Sequence, residues 1–413
     1  MLYFKHSELV SNYHVSLKTV HNWIDAAKQG KLELQLHERN GRTYIANTPT
    51  NLIALENLAD KGKKYRNTLH HRVVTPKVEF YELYSPRQIL DIISNLNIHR
   101  EIPRQYNYFD GGANNWNRWL QRLRNEETSN ILKSTINLMH DNLGQLDLFL
   151  KDYDRVNVID AGVGNAMPAQ ELLGHLLGQG KLNRYIAIDI SKSMLEIAER
   201  NISEWFGGEA AFEGHIRDLS YERFDDLLVD DLLDEQQGKI VNVVLLFGAT
   251  PSNFRDPSDA LRTIYGSIGD NDLLVYSDKA DTENSRRYFD FGHKPGAAAH
   301  LSPNHSFILD LLNIDQSLYE IDMGFSREKR MRYIRVCLAT ALTVSFKIDG
   351  KVREVSFEKG DTILLLRVWH QTVLGLISAF EKAGFLLLQA SLTKDREYLL
   401  TISGVNKDLG SSL

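Results

Sequence analysis

The chain has 413 residues, of which 43% are hydrophobic and 25% are charged, and its formal net charge is −6. These values describe a soluble globular protein of two or three domains. No apolar run approaches the roughly 18 residues of a membrane helix, and the first residues do not form a signal peptide. We therefore expect a cytoplasmic protein without membrane contact. The single cysteine, Cys337, excludes an internal disulfide framework and cysteine-based zinc clusters.

The charge is distributed unevenly along the chain. Residues 1–67 carry 10 Lys and Arg against 6 Asp and Glu, so this head is basic by four charges. The rest of the chain is correspondingly acidic. A basic head on an acidic body is the pattern expected when only the head contacts nucleic acid.

Two short helices are predicted at the start of the chain. The periodicity of apolar residues indicates a first helix from Lys5 to Tyr13 and a second from Leu17 to Gln29. Between them, His14-Val15-Ser16 forms a turn in which Ser16 caps the second helix, and Gly30 ends that helix.

A β-hairpin is predicted next, over Lys31 to Ala46, because Asn40-Gly41 is the strongest short hairpin signal. Helix, turn, helix and wing resemble a winged helix-turn-helix of the MerR or excisionase type, in which the second helix reads DNA and the wing contacts phosphates. Paired half-sites would require a homodimer. The alternative is a small helical cap used for dimerisation or for packing on the body. The DNA-binding residues that the resemblance implies are Ser16, Lys18, Thr19, His21, Asn22, Arg39 and Arg42.

The residues after the hairpin predict a connection. Asn51 to Asp60 has the pattern of one further helix, and Lys61 to Pro76 is polar and basic, which is typical of a linker. The pair His70-His71 lies in this linker, where solvated histidines are a simpler interpretation than a metal site. We therefore expect no metal.

The segment Val156 to Ala166, VNVIDAGVGNA, is the most informative in the chain. It predicts an apolar strand that enters a tight turn at Asp160 to Asn165, followed by a helix from Met167 to Leu177. A second apolar run, Tyr185 to Ile188, ends on Asp189. A strand, a glycine turn, a helix and a strand that ends on an acid form a site for a nucleoside, whose ribose diol needs a carboxylate.

Two kinds of nucleoside site compete at this turn. Dinucleotide enzymes need G-x-G-x-x-G, but Met167 occupies the third glycine position here. Asp160 would also repel a pyrophosphate, whereas it suits a cationic ligand. This pattern resembles the S-adenosylmethionine (SAM) site of class I methyltransferases, because the sulfonium and amino groups of SAM are cationic. The remaining alternative is an ordinary βαβ crossover that binds no ligand.

The later elements extend this resemblance to SAM methyltransferases. It implies that Asp218 bonds the adenine amino group and that the strand Ile240 to Phe247 ends beside the transferable methyl group. Further strands are predicted at Asp272 to Ser277, Phe385 to Ala390 and Arg396 to Ile402, with a helix over Thr372 to Lys382. The implied cofactor-binding residues are Asp160, Gly162, Gly164, Asn165, Asp189, Ile190, Asp218, Leu219, Phe247 and Gly248.

A loop rich in aromatic residues precedes the first strand of this core. Tyr106, Tyr108 and Trp116 surround Gly111-Gly112, which suggests a loop that folds over the pocket. Aromatic faces suit a methyl-donor site because they stabilise a sulfonium or an ammonium by cation–π contact. The alternative is that these aromatic residues only attach the N-terminal segment to the core.

A narrower resemblance concerns the order of elements from Asp154 to Ile402, which is similar to the histidine-specific methyltransferase family of ergothioneine biosynthesis. Phe247 to Phe254, FGATPSNF, is similar to that family's F-L-G-S-T-I-G-N-F stretch, and the resemblance implies that Asn253 orients an amino-acid substrate. Glu283 to Lys359 fills the place of the family's long insertion, with a predicted hairpin of strands Arg335 to Ile348 and Lys351 to Phe357 around Asp349-Gly350. Phe357 to Ile363, FEKGDTI, resembles F-x-x-G-E-x-I.

The chain departs from the family at the residues that hold the imidazole. The family has a Glu and a Ser there, in a T-E-x-S-x-K pattern, whereas Leu366 and Val368 occupy the matching positions here. An apolar pair cannot hydrogen-bond an imidazole, so this departure argues against histidine as the substrate.

These observations predict an α/β protein with a Rossmann-like class I methyltransferase sheet, an inserted α+β substrate domain and a small N-terminal winged helix-turn-helix. We expect a SAM-dependent N-methyltransferase of an amino acid or related small amine. The alternatives are a regulator that senses SAM or a metabolite and a nucleic-acid methyltransferase, although no N-P-P-Y or D-P-P-Y sequence follows the fourth strand. Candidates for holding the acceptor are Asn253, Thr250, Tyr106, Tyr108 and Asp278, of which Asp278 is also a candidate base. The predicted domains are 1–67 (winged helix-turn-helix), 68–80 (linker), 81–150 (helical cap), 151–283 with 360–405 (SAM-binding core) and 284–359 (insertion).

Overall fold

The computed structural model of the chain describes residues 3–13, 15–69, 71–229, 238–248, 250–286 and 300–406. His14 of the predicted turn, His70 of the histidine pair and Ala249 of the motif after the fourth strand lie outside the described residues. The chain forms two units. Unit 1 comprises residues 1–73 with 340–343 and 357–359, and unit 2 comprises the rest.

Unit 1 contains the helices and the hairpin that the sequence predicts. In chain order its elements are α1 (His6–Tyr13), α2 (Leu17–Lys28), β1 (Leu36–Arg39), β2 (Arg42–Ile45) and α3 (Pro49–Leu69). The backbone N–H of Thr19 donates to the Ser16 side chain at 3.1 Å, which confirms the predicted cap. Asn40 and Gly41 both have positive φ, at 50° and 71°, as a two-residue hairpin turn requires.

The core of unit 1 follows from the helical spacing of its apolar residues. Leu9 of α1, Val20 and Ile24 of α2, and Ile45 of β2 are buried against Leu55 of α3. Helix α3 is longer than the sequence analysis predicted, because it continues to Leu69 through residues that were expected to form a linker. A short strand, β3 (Arg72–Val74), follows.

Unit 2 is built on a seven-stranded mixed sheet. Its strands are β4 (Arg155–Ala161), β5 (Leu182–Asp189), β6 (Phe212–Ile216), β7 (Ile240–Leu246), β8 (Leu273–Lys279), β14 (Phe385–Leu392) and β15 (Tyr398–Val405), in the order β14-β15-β8-β7-β4-β5-β6. Strands β6, β5, β4, β7 and β8 are parallel, and β15 pairs antiparallel with both β8 and β14. The predicted strands Phe385 to Ala390 and Arg396 to Ile402 correspond to this final antiparallel hairpin of β14 and β15.

Helices cover both faces of this sheet, as a mostly parallel sheet needs. The helices of unit 2 are α4 (Val78–Leu83), α5 (Pro86–Ile98), α6 (Gly111–Asn125), α7 (Ile131–Phe149), α8 (Gln170–Gly178), α9 (Lys192–Phe206), α10 (Ser258–Tyr265), α11 (Glu283–Arg286), α12 (Pro303–Leu311) and α13 (Val373–Lys382). Successive residues of β7 alternate between two cores: Val243 packs with α7 and α8, whereas Val244 packs with α10 and α13.

The inserted residues and the residues that directly follow them form further strands, and here the structure corrects one prediction. The strands are β9 (Tyr319–Ser326), β10 (Met331–Leu338), β11 (Leu342–Ile348), β12 (Lys351–Phe357) and β13 (Thr362–Trp369). The prediction of a single strand from Arg335 to Ile348 is wrong, because the strand is interrupted at residues 339–341. Before the interruption β10 pairs with β9 and β13, and after it β11 pairs with β12 in a different sheet. The apolar pattern runs through this break, so it does not reveal the change of sheet. The hairpin around Asp349-Gly350 is confirmed, with positive φ at both residues.

Candidate functional site

A cavity opens at the carboxyl ends of β4, β5 and β7. This is where open α/β sheets bind their ligands. All ten residues that the sequence predicts as cofactor-binding line this cavity: Asp160, Gly162, Gly164, Asn165, Asp189, Ile190, Asp218, Leu219, Phe247 and Gly248. The structure therefore brings these ten residues together at one cavity, and their cofactor-binding role stays a prediction.

The turn after β4 needs glycine at two positions. Gly162 has φ +82°, and a Cβ at this position would lie 2.8 Å from Oγ1 and Cγ2 of Thr250. Gly164 has φ +55°, and its backbone N–H donates to Oδ2 of Asp189 at 3.3 Å. The turn therefore requires glycine for conformation at both positions and for space at Gly162.

Two buried carboxyl groups flank this turn. Asp160 ends β4 and accepts a hydrogen bond of 2.9 Å from the hydroxyl of Tyr185. Burial raises the pKa of Asp160 to about 7, and the nearby Asp189 raises it further against the lowering effect of Tyr185. Burial also raises the pKa of Asp189 to about 6, although the backbone N–H of Ser191 donates to it at 3.0 Å. Both carboxyls therefore gain from a cation or hydroxyl donors in the pocket.

A third carboxyl lies at the next strand. Asp218 follows β6 and accepts hydrogen bonds from the backbone N–H and the hydroxyl of Ser220, at 3.0 and 2.6 Å. Burial raises the pKa of Asp218 above its ordinary value. Together with Leu219, it forms the part of the pocket lining that the sequence assigns to adenine.

The loop after β7 brings two of the predicted acceptor-binding residues to the cavity. Gly248 has φ +72°, and the hydroxyl of Thr250 donates to the carbonyl oxygen of Phe247 at 3.1 Å. Thr250 and Asn253 both line the cavity. A buried hydrogen bond holds this loop in place, because the hydroxyl of Ser252 donates to Oδ2 of Asp278.

The five predicted acceptor-binding residues do not all lie together. Tyr108, Thr250 and Asn253 line the cavity, whereas Tyr106 and Asp278 do not. The Tyr106 hydroxyl donates to Asp91 at 2.8 Å, and the ring is buried. Asp278 is buried behind the loop, where it also accepts from the hydroxyl of Tyr276 at 2.9 Å, and burial raises its pKa to about 6. The structure thus corrects the expectation that these two side chains reach the acceptor.

The aromatic loop supplies the opposite wall of the cavity and contains a residue that the sequence analysis missed. Tyr108 and Trp116 line the cavity together with Arg104. Arg104 lies on a 3-10 turn from Arg104 to Tyr108, and only 8% of it is exposed. A basic residue just before an aromatic run was the available signal, but charge at a loop is common and does not by itself indicate burial. Other lining residues that were missed include Gln105, Met194, Arg217 and Phe254.

A second cavity shares Arg104, Gln105 and Asn253 with the first. Its other walls are residues 101–103 and 364–367. Leu366 lines it and is buried, whereas Val368 does not line it. This cavity is therefore adjacent to the end of β7, and β13 supplies an apolar wall.

The head residues that the sequence assigns to DNA lie on the surface of unit 1. All are exposed except Thr19, which is half-buried. On α2 they face away from the buried Val20, Trp23 and Ile24. Their positions are Ser16, Lys18, Thr19, His21 and Asn22 at or within α2, and Arg39 and Arg42 on either side of the hairpin turn.

The part of the chain that the structure describes contains no group of three or more His, Cys, Asp or Glu side chains able to hold a metal ion. None of its helices is long and apolar enough to span a membrane.

Residues 88–287 match the model of a family described as histidine-specific methyltransferase, SAM-dependent. No curated protein matches the chain.

Solved structures of methyltransferases are distantly similar. A SAM-dependent methyltransferase from Clostridium acetobutylicum ATCC 824 is 9% identical, with 71% of this chain and 98% of that chain covered and a TM-score of 0.37. Magnesium protoporphyrin IX methyltransferase from Synechocystis PCC 6803 is 11% identical, with 73% and 97% covered and a TM-score of 0.37. The 1,6-didemethyltoxoflavin-N1-methyltransferase of Burkholderia thailandensis is 11% identical, with 79% and 92% covered and a TM-score of 0.37.

The family match and the pocket agree on the cofactor. A glycine turn that a Cβ would fill, a buried carboxyl at Asp160 and an acid at the end of β5 fit the sulfonium and the ribose of SAM. The chain is a SAM-dependent methyltransferase, and SAM is its cofactor.

Proposed function

We propose that the enzyme is an N-methyltransferase that acts on an amino acid or a related small amine. The observation that carries this proposal is the second cavity, which shares Asn253, Arg104 and Gln105 with the SAM pocket. Its lining joins Asn253 and Gln105 to Leu364, Leu365 and Leu366 of β13, so an acceptor held there lies directly beside the SAM pocket.

The lining of this cavity disfavours histidine as the acceptor. Leu366 lines it, and on β13 it is flanked by Leu365 and Arg367. The Arg367 guanidinium is already paired with Glu101. A buried leucine cannot hydrogen-bond an imidazole. A site without that hydrogen bond cannot use it to select histidine over other amino acids. The acceptor that fits best presents its amine towards Asn253 and an apolar part towards β13.

The reaction is an in-line displacement at the methyl carbon of SAM. The nitrogen lone pair of the acceptor forms the new N–C bond, the C–S bond breaks, and S-adenosylhomocysteine leaves. The amine must react in its neutral form, so a proton leaves the nitrogen before or after the transfer. In this proposal Asn253 and Thr250 orient the amine, Tyr108 presents its ring to the cationic centre, and the pocket excludes water.

The test uses purified full-length protein, SAM labelled in its methyl group and two acceptor pools, low-mass cell extract and total nucleic acid. Mass spectrometry locates the label, and titration measures SAM binding. We expect label on a small amine, its loss in Asn253→Ala and its retention in Asn125→Ala, which changes an exposed asparagine at the end of α6. Label confined to nucleic acid would refute the proposal. Tight SAM binding without transfer would refute it too, in favour of a SAM sensor.

We further propose that unit 1 is a winged helix-turn-helix that binds DNA, as a homodimer on paired half-sites. The polar face of α2 and the two arginines beside the hairpin turn are exposed. Residues 1–67 also carry a net charge of +4. These features support insertion of α2 into the major groove and phosphate contacts by Arg39 and Arg42.

The DNA test selects duplexes from a random pool with the full-length protein and then measures affinity at several salt concentrations. Arg42→Ala should weaken binding to all selected sequences and reduce the salt dependence, because it removes a phosphate contact. Lys394→Ala, an exposed lysine of unit 2, is the matched control and should bind as the wild type does. Absence of any selected sequence would leave unit 1 as a dimerisation or packing element.

A further inference from the structure

Arg104 is a buried cation at the junction of the two cavities. It lines both of them, and 8% of the residue is exposed. Its Nη1 is buried and has no hydrogen-bond partner within the described residues. An arginine in this condition is costly, since a buried charge normally has a partner.

The contacts of Arg104 orient its guanidinium without neutralising it. Nε donates to the hydroxyl of Tyr108 at 3.0 Å, and the group lies 5.4 Å from the ring centroid of Tyr108 and 5.7 Å from that of Trp116. No carboxylate lies within ion-pair distance of it in the described part of the chain. By contrast, Arg255 and Arg367 both pair with Glu101.

A nearby histidine responds to this unbalanced charge. The pKa of His305 is held well below its usual value, first by burial and then by the positive charges of Arg104 and Arg332. Burial and the positive charge of Arg104 thus act on His305 in the same direction.

The backbone that carries Arg104 is fixed in advance. The hydroxyl of Ser191 donates to the carbonyl oxygen of Tyr108, and the backbone N–H of Asp110 donates to the hydroxyl of Ser193 at 3.1 Å. A Cβ on Gly112 would lie 2.2 Å from the carbonyl oxygen of Asn107, so the turn packs tightly against the start of α6. A guanidinium held in this way loses little freedom when a ligand binds, which favours affinity.

We propose that Arg104 binds the carboxylate of a ligand in this site, either the methionyl carboxylate of SAM or the carboxylate of the acceptor. A planar guanidinium with a free Nη1 matches a carboxylate in geometry and supplies the charge that a carboxylate needs. It repels a purely cationic amine. The acceptor case rests on the proposed function, whereas the SAM case does not.

The first arm of the test concerns the donor. S-adenosylhomocysteine and 5′-methylthioadenosine share the nucleoside and the sulfur, but only the former has the carboxylate. If Arg104 binds the donor, Arg104→Met should weaken S-adenosylhomocysteine binding by about 10- to 100-fold and leave 5′-methylthioadenosine binding unchanged. Arg104→Lys keeps the positive charge but lacks the planar guanidinium, so its affinity for S-adenosylhomocysteine should lie between those of the wild type and Arg104→Met. Arg122→Met, an exposed arginine on α6, is the control.

The second arm concerns the acceptor. Methyl transfer from saturating labelled SAM is measured with a pool of the common α-amino acids and with the pool of amines obtained by removing their carboxyl groups. If Arg104 binds the acceptor, the wild type should prefer the amino acids, and Arg104→Met should raise KM for them by about 10- to 100-fold while S-adenosylhomocysteine binding stays unchanged.

Two results would overturn the proposal. Equal loss of S-adenosylhomocysteine and 5′-methylthioadenosine in Arg104→Met would assign Arg104 to the structure of the pocket rather than to a carboxylate. The other result is that Arg104→Met binds both nucleosides as tightly as the wild type does and that the two proteins transfer methyl groups equally to the amino-acid pool, including the case of no transfer by either. This result would show that Arg104 does not bind a ligand. Failure of the proposed function shows only in the second arm, because the first needs no acceptor.

Discussion

The hydroxyl of Tyr185 donates a hydrogen bond to Asp160 at 2.9 Å, and both side chains are buried. Asp160 lies near the carboxyl end of β4, and Tyr185 lies in the middle of the adjacent parallel strand β5. The pairing of the two strands therefore brings the Tyr185 hydroxyl to the carboxyl of Asp160, which lines the SAM pocket. Burial raises the pKa of Asp160 to about 7, and the hydrogen bond from Tyr185 opposes this rise. The pair therefore sets how much of the carboxylate is ionised when a cationic ligand arrives.

We expect SAM affinity to depend on pH through Asp160. The sulfonium attracts the ionised carboxyl, so affinity should rise with pH and level off above about pH 7, the pKa in the free protein. Below that value the dissociation constant should increase by up to about tenfold per pH unit. Calorimetric titration from pH 5.5 to 8.5 measures this. Tyr185→Phe removes the donor, raises the pKa of Asp160 and should move the transition to higher pH. Equal affinity for SAM at all pH values would contradict the prediction.

The same carboxyl should destabilise the free protein at high pH. Its pKa is raised from 3.8 to about 7 by folding, so the native state holds the proton more tightly and stability declines as pH rises through this range. Asp160→Asn removes this penalty and should increase the free energy of unfolding at pH 8 by up to about 4 kcal/mol, with a smaller gain towards pH 5. Urea unfolding without SAM measures the difference. Asp152→Asn, an exposed site, should change little at either pH.

The part of the site that the sequence predicted depends on local patterns. The strand that ends on Asp160, the glycine turn and the strand that ends on Asp189 form one nearly continuous segment, and the parallel pairing of β4 and β5 places their ends together. Glycine and acid positions within such a βαβ unit are constrained by backbone geometry, so spacing alone identifies them.

The rest of the site depends on contacts between distant segments. Tyr106 lies near the pocket residues in sequence, but its hydroxyl is directed to Asp91, which no local pattern indicates. Asp278 ends its strand as Asp160 does, yet Ser252 and Tyr276 hold it behind the loop. Arg104 reaches the cavity because the aromatic loop is tied to Ser191, more than eighty residues away in sequence. These outcomes follow from tertiary packing rather than from periodicity.

Gly162→Ala should impair both the turn and SAM binding. The backbone at φ +82° costs about 1–2 kcal/mol for a residue with a Cβ, and this Cβ would lie 2.8 Å from Thr250. Gly180 also has positive φ, +67°, but a Cβ there meets nothing within 4 Å. Gly180→Ala should therefore lower the free energy of unfolding only by the backbone cost and keep wild-type SAM affinity. Gly162→Ala should in addition bind SAM at least tenfold more weakly.

Thermal unfolding and SAM titration of the two alanine variants separate strain from crowding. Adding Thr250→Ala to Gly162→Ala removes the two atoms that the new Cβ would touch, so part of the SAM affinity should return. Equal SAM affinity in Gly162→Ala and Gly180→Ala would show that the close approach of Thr250 has no role in binding.

Asp278 should act by positioning the loop that carries Thr250 and Asn253, rather than as a base. Its carboxyl is buried and accepts hydrogen bonds from Ser252 and Tyr276, so it does not reach the acceptor. We expect Asp278→Asn to lower kcat roughly three- to tenfold, through misplacement of the acceptor, with little change in SAM affinity. The dependence of kcat on pH should keep its shape, with Asp152→Asn as the unaffected control. If the wild-type rate instead rises through about pH 6, the pKa of Asp278, and this rise disappears in Asp278→Asn, the carboxyl takes the proton and the positioning role is wrong.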